Sequence, residues 1–273
     1  VNVFTRDGGR LTGNPLCVFE SGAGLDDATM QALARQFNLS ETTFILPSDQ
    51  ANARVRIFTP DFEMPFAGHP TLGTAFVCRA LGKGGDALKL EMRAGVIPVT
   101  ASGNRWTLQA KAPKWREPAA TREEIAAMLQ LAPTDVGDRP LWVDTGKEQL
   151  IVPLTSEAAV RRVRPSMQLL SGLTNNEGQC DAYVFAETAP ARCLSRYFFQ
   201  SAGSMLEDPA TGSATANFGG WLIATNHALP HRYEISQGEY AGRPSTLILE
   251  VTADRQIRVS GDVVEIGRGN IAL

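Results

Sequence analysis

An α+β fold built as two related lobes is what this 273-residue sequence predicts, and three observations carry the prediction. A single block is used twice. Glu63-Met64-Pro65-Phe66-Ala67-Gly68-His69-Pro70-Thr71 and Glu207-Asp208-Pro209-Ala210-Thr211-Gly212-Ser213-Ala214-Thr215 share Glu, Pro, Gly and Thr at identical offsets. Each block is followed by a small, apolar, helix-compatible stretch, over 72–80 and 216–224. Outside these stretches, short strand-like runs dominate and helical patterns are few, which favours α+β. The length suits two domains of ordinary size.

Along the chain, 1–5 enters a strand at once, and Arg10-Leu11-Thr12-Gly13-Asn14-Pro15 is a turn before the apolar run 16–19. Asp26 and Asp27 can cap a helix whose apolar positions Met30, Leu33, Ala34 and Phe37 keep helical spacing and which ends at Asn38. Strands follow over 42–46 and 54–58, the second alternating Arg, Val, Arg, Ile, Phe as a half-buried strand does. After the first glycine block, strands are expected over 88–92, 96–100 and 105–110, separated by Gly-bearing turns.

Two prolines and a polar shift at Ala112-Pro113-Lys114-Trp115-Arg116-Glu117-Pro118 mark the lobe boundary. The expected lobes are therefore 1–113 and 119–264, with 265–273 a C-terminal segment returning to the first. A helix over 121–131 opens the second lobe, with Thr121 and Glu124 spaced as a capping box. Strands are expected over 140–143, 150–154, 182–186 and 195–199, and, beyond the second block, 237–248 and 257–264 close the chain as strands with Gly turns. His227 and His231 fall in an expected loop.

Composition is that of a soluble globular protein, 43% hydrophobic and 20% charged. A net charge of −3 and the lack of any run of Lys and Arg argue against nucleic acid or an anionic membrane as partner. Cys17, Cys78, Cys180 and Cys193 lack CxxC spacing and are expected as free thiols in a reducing compartment. No signal peptide or bilayer-length apolar run is read, so a cytoplasmic protein with a small-molecule partner is expected.

A strand that ends on a tight Gly turn and then starts a helix aims several backbone N–H groups at one spot, which suits a carboxylate. Glu41, in Asn38-Leu39-Ser40-Glu41-Thr42, lies between a helix end and a strand, where a side chain is held yet reachable; a solvated turn carboxylate is the other reading. His69, at a helix mouth between Gly68 and Pro70, would be kept neutral by the helix dipole, or is simply a satisfied turn histidine. Asp208 either caps the second helix or faces a pocket, and Thr211 and Ser213 set hydroxyls beside Gly212. Arg243 is a candidate partner of an acidic substrate or a plain hairpin arginine. Neither a Walker loop nor a GxGxxG turn is present, and isolated histidines argue against a metal site. No cofactor is expected.

Taken together, Thr12-Gly13-Asn14-Pro15, Asn38-Leu39-Ser40-Glu41-Thr42, Arg56-Ile57-Phe58-Thr59-Pro60, Phe66-Ala67-Gly68-His69-Pro70-Thr71-Leu72-Gly73, Glu207-Asp208-Pro209-Ala210-Thr211-Gly212-Ser213-Ala214 and Gln237-Gly238 with Gly242-Arg243-Pro244-Ser245 resemble the phenazine biosynthesis PhzF-like family. The resemblance implies the fold of diaminopimelate epimerase: two pseudo-symmetric lobes, each a β-sheet rolled around a central helix, with the site in the cleft between. The epimerase's paired cysteines correspond to Ala67 and Thr211 here, so its two-thiol inversion is not available at those positions.

The resemblance further implies a cofactor-independent isomerase, a homodimer, that moves a proton across a dihydro-hydroxyanthranilate-like substrate. Glu41 would be the acid/base and His69 and Asp208 its catalytic companions. Asn14, Gly68, Thr211, Gly212 and Ser213 would bind substrate. Where the family's TGSA motif is often followed by histidine, this chain has Thr215, which bears on the natural substrate. Two rival expectations are an amino-acid racemase or epimerase using Glu41 with Asp208, and a non-catalytic small-acid binding protein.

Overall fold

The computed structural model describes residues 1–170, 172–201 and 203–273, and its mixed sheets with few helices are α+β. The chain separates into two compact units, Val1–Leu108 with Ser260–Leu273, and Gln109–Val259. The division falls a few residues before the prolines of 112–118, where Ala110 N–H already bonds to Ile257 O (2.9 Å). The last strand returns to the first unit, as Thr5 N–H bonds to Asp262 O (3.0 Å).

The first unit contains β1 (Asn2–Val3), β2 (Asn14–Pro15), β3 (Cys17–Phe19), α1 (Asp27–Phe37), β4 (Thr42–Leu46), β5 (Ala53–Phe58), β6 (Glu63–Met64), α2 (Gly68–Ala80), β7 (Ala87–Met92), β8 (Gly95–Ser102) and β9 (Arg105–Gln109). β1 pairs antiparallel with β2, β3 runs parallel to β4, and β4 runs antiparallel to β5. β5 pairs with both β6 and β7, and β7, β8 and β9 form an antiparallel meander.

Helix α1 is capped as its sequence predicts. Asp26 accepts from Thr29 N–H (2.8 Å), and Asn38 closes the helix in the left-handed region at φ 51°. Met30, Leu33 and Ala34 pack on Phe44 and Phe58, and Phe37 rests edge-on against Phe19. Helix α2 has no amphipathic stripe because it is covered almost all round, from His69 through Ala75 and again at Val77 and Cys78. Its Thr74 hydroxyl shares a buried hydrogen bond with Thr43 of β4 (2.8 Å). At Gly73 a Cβ would lie 2.6 Å from Leu16 Cδ2, so only glycine lets helix and sheet approach this closely.

The second unit contains β10 (Lys114–Arg116), α3 (Arg122–Met128), β11 (Leu141–Asp144), β12 (Glu148–Pro153), α4 (Glu157–Arg162), α5 (Met167–Leu170), β13 (Asp181–Ala189), β14 (Arg192–Ser201), β15 (Ser204–Asp208), α6 (Gly212–Ala224), β16 (His231–Gln237), β17 (Ser245–Val251) and most of the first half of β18 (Ile257–Val264). Thr121 and Glu124 form the expected capping box on α3. β12 runs parallel to β13, β13 antiparallel to β14, and β14 parallel to β16.

The strands with Gly turns expected over 237–248 are the end of β16 and the start of β17, with the chain turning over 238–244 between them. Gly238 has φ +83°, and a Cβ there would lie 2.3 Å from Arg243 O and 2.4 Å from Pro209 O. His231 is not in a loop: it opens β16 and pairs with Val251. Among the described residues no helix is long and apolar enough to cross a membrane.

Helix α6 has 13 residues, as α2 has, and is buried from Ala214 to Ala224. Its aromatic residues join a cluster in which the Phe185 and Phe218 rings lie 4.0 Å apart. Gly219 and Gly220 bring it close to the sheet: a Cβ on Gly219 would meet Ile257 Cγ2 at 2.8 Å, and one on Gly220 would meet Val143 Cγ1 at 2.7 Å. Alanine gains about 1 kcal/mol of helix propensity over glycine. Overpacking against branched core side chains costs about 1–3 kcal/mol. Gly219→Ala and Gly220→Ala are each expected to lower stability by up to about 2 kcal/mol net in urea denaturation; a stabilised variant would show that the contact is slack.

Candidate active site

The first glycine block is held by residues that precede it. Arg56 of β5 forks onto Glu63, with both nitrogen–oxygen distances 2.8 Å, and reaches Asp27 of α1 at 2.6 Å. Gln31 donates to the carbonyls of Thr59 and Pro60 (2.8 and 3.0 Å), closing the turn before β6. The Arg56-to-Pro60 motif thus fastens α1, β5 and β6 together ahead of the helix start.

Helix α2 then begins at Gly68, with Ala67 in the N-cap position and no side-chain cap. The first intrahelical bond runs from Thr71 N–H to Ala67 O (3.2 Å), so the N–H groups before it depend on partners outside the helix. His69, the second helical residue, is 7% exposed. Its Nε2 lies 3.4 Å from Glu41 Oε2, with the glutamate side chain 16% exposed. Glu41 is brought there because Asn38 ends α1 in a left-handed turn and the chain goes directly into β4. The two side chains thus meet in a contact largely withdrawn from water. Asn14, the remaining first-unit candidate, is buried on β2 opposite Val3.

In the second unit, Asp208 ends β15 and Thr211 occupies the N-cap position of α6, again with no side-chain cap on the helix. The Thr211 hydroxyl donates instead to Asp208 Oδ2. Gln237, at the end of β16, fixes that direction. Its Oε1 accepts from Thr211 N–H (3.3 Å), and its Nε2 donates to Asp208 O and to Thr211 Oγ1 (2.9 and 3.0 Å). Asp208, Thr211, Gly212 and Ser213 thus stand together around the first turn of α6, and Glu41, Gly68 and His69 around that of α2. Arg243 lies in the 238–244 turn, where partial burial lowers its proton affinity.

Ser213 Oγ accepts from Gln149 Nε2 (3.1 Å), the near end of a buried chain that no sequence motif announces. Gln149 also donates to the Tyr197 hydroxyl, which donates to Asp181 Oδ2 (2.9 Å). Asp181 faces Lys147 Nζ at 3.5 Å. Burial pushes the Asp181 carboxyl up to about 6, against the opposing pull of Lys147 and Tyr197. The one available sign of this chain was the presence of Gln and Asp beside otherwise apolar strands.

Thiol chemistry has no place at either helix start, where Ala67 and Thr211 stand. The four cysteines are free, and burial pushes the Cys78 and Cys180 thiols up to about 11. Among the described residues, no group of three or more His, Cys, Asp or Glu is arranged to hold a metal.

The family model described as phenazine biosynthesis-like protein (PhzC-PhzF) matches residues 1–269. The chain belongs to that family. An uncharacterized isomerase of Pasteurella multocida is 36% identical over 99% of this chain and 92% of its own length. The trans-2,3-dihydro-3-hydroxyanthranilate isomerase of Pseudomonas chlororaphis is 35% identical, covering 96% of this chain and 95% of that protein. A Bacillus anthracis PhzF-family crystal structure superposes with a TM-score of 0.84 over 96% of this chain and 93% of that one, and at 24% identity this is a likeness of fold.

The raised proton affinity of Asp181 gives a pH test within this PhzF-like scaffold. An unfolded aspartate titrates near about 4, so between there and about 6 the native state holds more protons and stability falls as pH rises. This proton-affinity difference corresponds to about 3 kcal/mol. Relative to the unaltered protein, Asp181→Asn should therefore gain stability, by up to that amount, between pH about 4 and 7, measured by urea denaturation. A relative loss over that window would contradict the assignment.

Proposed function

We propose that this protein is a cofactor-independent isomerase that shifts a proton, and with it a double bond, on a small carboxylate of the dihydro-hydroxyanthranilate type. The observation that carries the reading is the contact of Glu41 with His69 at 3.4 Å, both side chains largely withdrawn from water at the start of a helix with no side-chain cap.

In this reading the Glu41 carboxylate takes a proton from a carbon of the substrate and the C–H electron pair becomes part of a relocated double bond. The same carboxyl group then returns the proton to a different carbon. Electrons and atoms balance without an oxidant, so no redox cofactor takes part. Partial burial favours a carboxyl that can hold the proton between the two steps. His69 positions Glu41, and Asp208, held by the Thr211 hydroxyl, assists. Gly68, Gly212, Thr211, Ser213 and Asn14 bind the substrate, the helix N–H groups favouring its carboxylate. The assembly is a homodimer, and sedimentation as a monomer would reject that part.

Glu41→Gln keeps the side chain's shape while removing its acid/base capacity. Turnover of trans-2,3-dihydro-3-hydroxyanthranilate, followed by absorbance, is expected to fall at least about 10²-fold. His69→Asn is expected to lower kcat by less, because it disturbs the position of the carboxylate and leaves the group in place. Near-normal turnover by Glu41→Gln would remove Glu41 from the mechanism.

A further inference from the structure

Ser213 is the second residue of α6, and its hydroxyl receives a hydrogen bond from Gln149. The direction of the hydrogens along this chain is set by backbone groups whose roles are fixed. Thr145 N–H donates to Asn217 Oδ1 (2.8 Å), which identifies that atom as the carbonyl oxygen. At the other end of the same amide, Asn217 Nδ2 donates to the Lys147 carbonyl (2.8 Å), which can only accept. Asn217 therefore presents a donor to Gln149, whose Oε1 receives it at 2.8 Å.

Gln149 is left with two hydrogens on Nε2, and both are used, on Tyr197 and on Ser213, each at 3.1 Å. Turning the Gln149 amide over would set its nitrogen against the Asn217 nitrogen, donor against donor. Tyr197 passes its own hydrogen on to Asp181 (2.9 Å). Gln149, Tyr197, Asp181 and Asn217 are all buried, so solvent offers no alternative partner that would relax this order.

A serine hydroxyl has one hydrogen and two lone pairs. With a lone pair engaged by Gln149, the hydrogen of Ser213 must point elsewhere. We propose that Gln149, locked by Asn217, is a positioning residue that obliges Ser213 to donate, so that the start of α6 favours a ligand group that accepts, such as a carboxylate or an enolate oxygen. The inference rests on the reading above, in which the substrate carboxylate is held at this helix start, and adds the residues that set the polarity. A ligand group with no lone pair to offer, such as an ammonium, would leave the Ser213 hydrogen unpaired there.

Neutron diffraction from crystals of the unaltered protein in D₂O tests the polarity without any variant. The Ser213 deuterium is expected to point away from Gln149; a deuterium directed at Gln149 Oε1, or at Nε2, overturns the proposal. Calorimetric titration with anthranilate tests the selection of ligand, using Gln149→Leu, Gln149→Met, Ser213→Ala and the double variants. Without Gln149 the Ser213 hydroxyl is no longer held toward the ligand, so either Gln149 variant is expected to lose affinity by up to about tenfold, the value of the Ser213 bond to a charged group. In the Ser213→Ala background, the same substitution is expected to change affinity less than about twofold. Equal losses in both backgrounds would mean that Gln149 acts only on the fold, and would overturn its role. Undiminished anthranilate binding by Ser213→Ala would instead reject the helix start as the carboxylate site, while the neutron map still decides the polarity. Should both Gln149 variants fail to fold, the neutron map alone decides.

Discussion

Two buried helices that begin without a side-chain cap are the constraint on which the rest of this structure depends. Any α-helix leaves its first N–H groups without intrahelical partners, and surface helices satisfy them with water or a capping side chain. Helices α2 and α6 have Ala67 and Thr211 at that position and no side-chain cap on either. Both are covered along most of their length, so they must be threaded close to their sheets. Gly73, Gly219 and Gly220 permit this by leaving no Cβ where Leu16, Ile257 and Val143 stand. The first N–H groups of each helix are thus held in place by packing and not by a capping side chain.

The scaffolding around the two starts differs in kind. In the first unit a charged clamp, Arg56 with Glu63 and Asp27, fixes the approach of the chain to Gly68. In the second, two amides do the work: Gln237 orders Thr211 and Asp208, and Gln149 orders Ser213. An amide with its oxygen and nitrogen assigned by backbone partners imposes a direction on a hydroxyl, which a charge clamp does not.

Much of the fold was legible because its signals are local. Asp26 and Asn38 bound α1, Thr121 and Glu124 box the start of α3, and the doubled Glu-Pro-Gly-Thr spacing marks both buried helices. The Glu41 and His69 candidates were legible through motif and position, and the structure brings them together at 3.4 Å. What stayed hidden depends on long-range pairing. Gln149 meets Ser213 across 64 positions and Asn217 across 68, and nothing in its neighbourhood distinguishes it from any polar residue at a strand start. The loop expected at His231 misled for the same reason, since its place in β16 is fixed by pairing with Val251 of β17.

The most direct test of the central claim is proton NMR of substrate turned over in D₂O by the unaltered protein. If Glu41 carries the proton through a site that exchanges with solvent between abstraction and return, deuterium appears at one defined carbon, the one that has gained a hydrogen, and the double bond has moved. A product with a moved double bond and deuterium at several carbons, or deuterium with configuration inverted and no bond shift, would contradict a single carboxylate acting at two carbons.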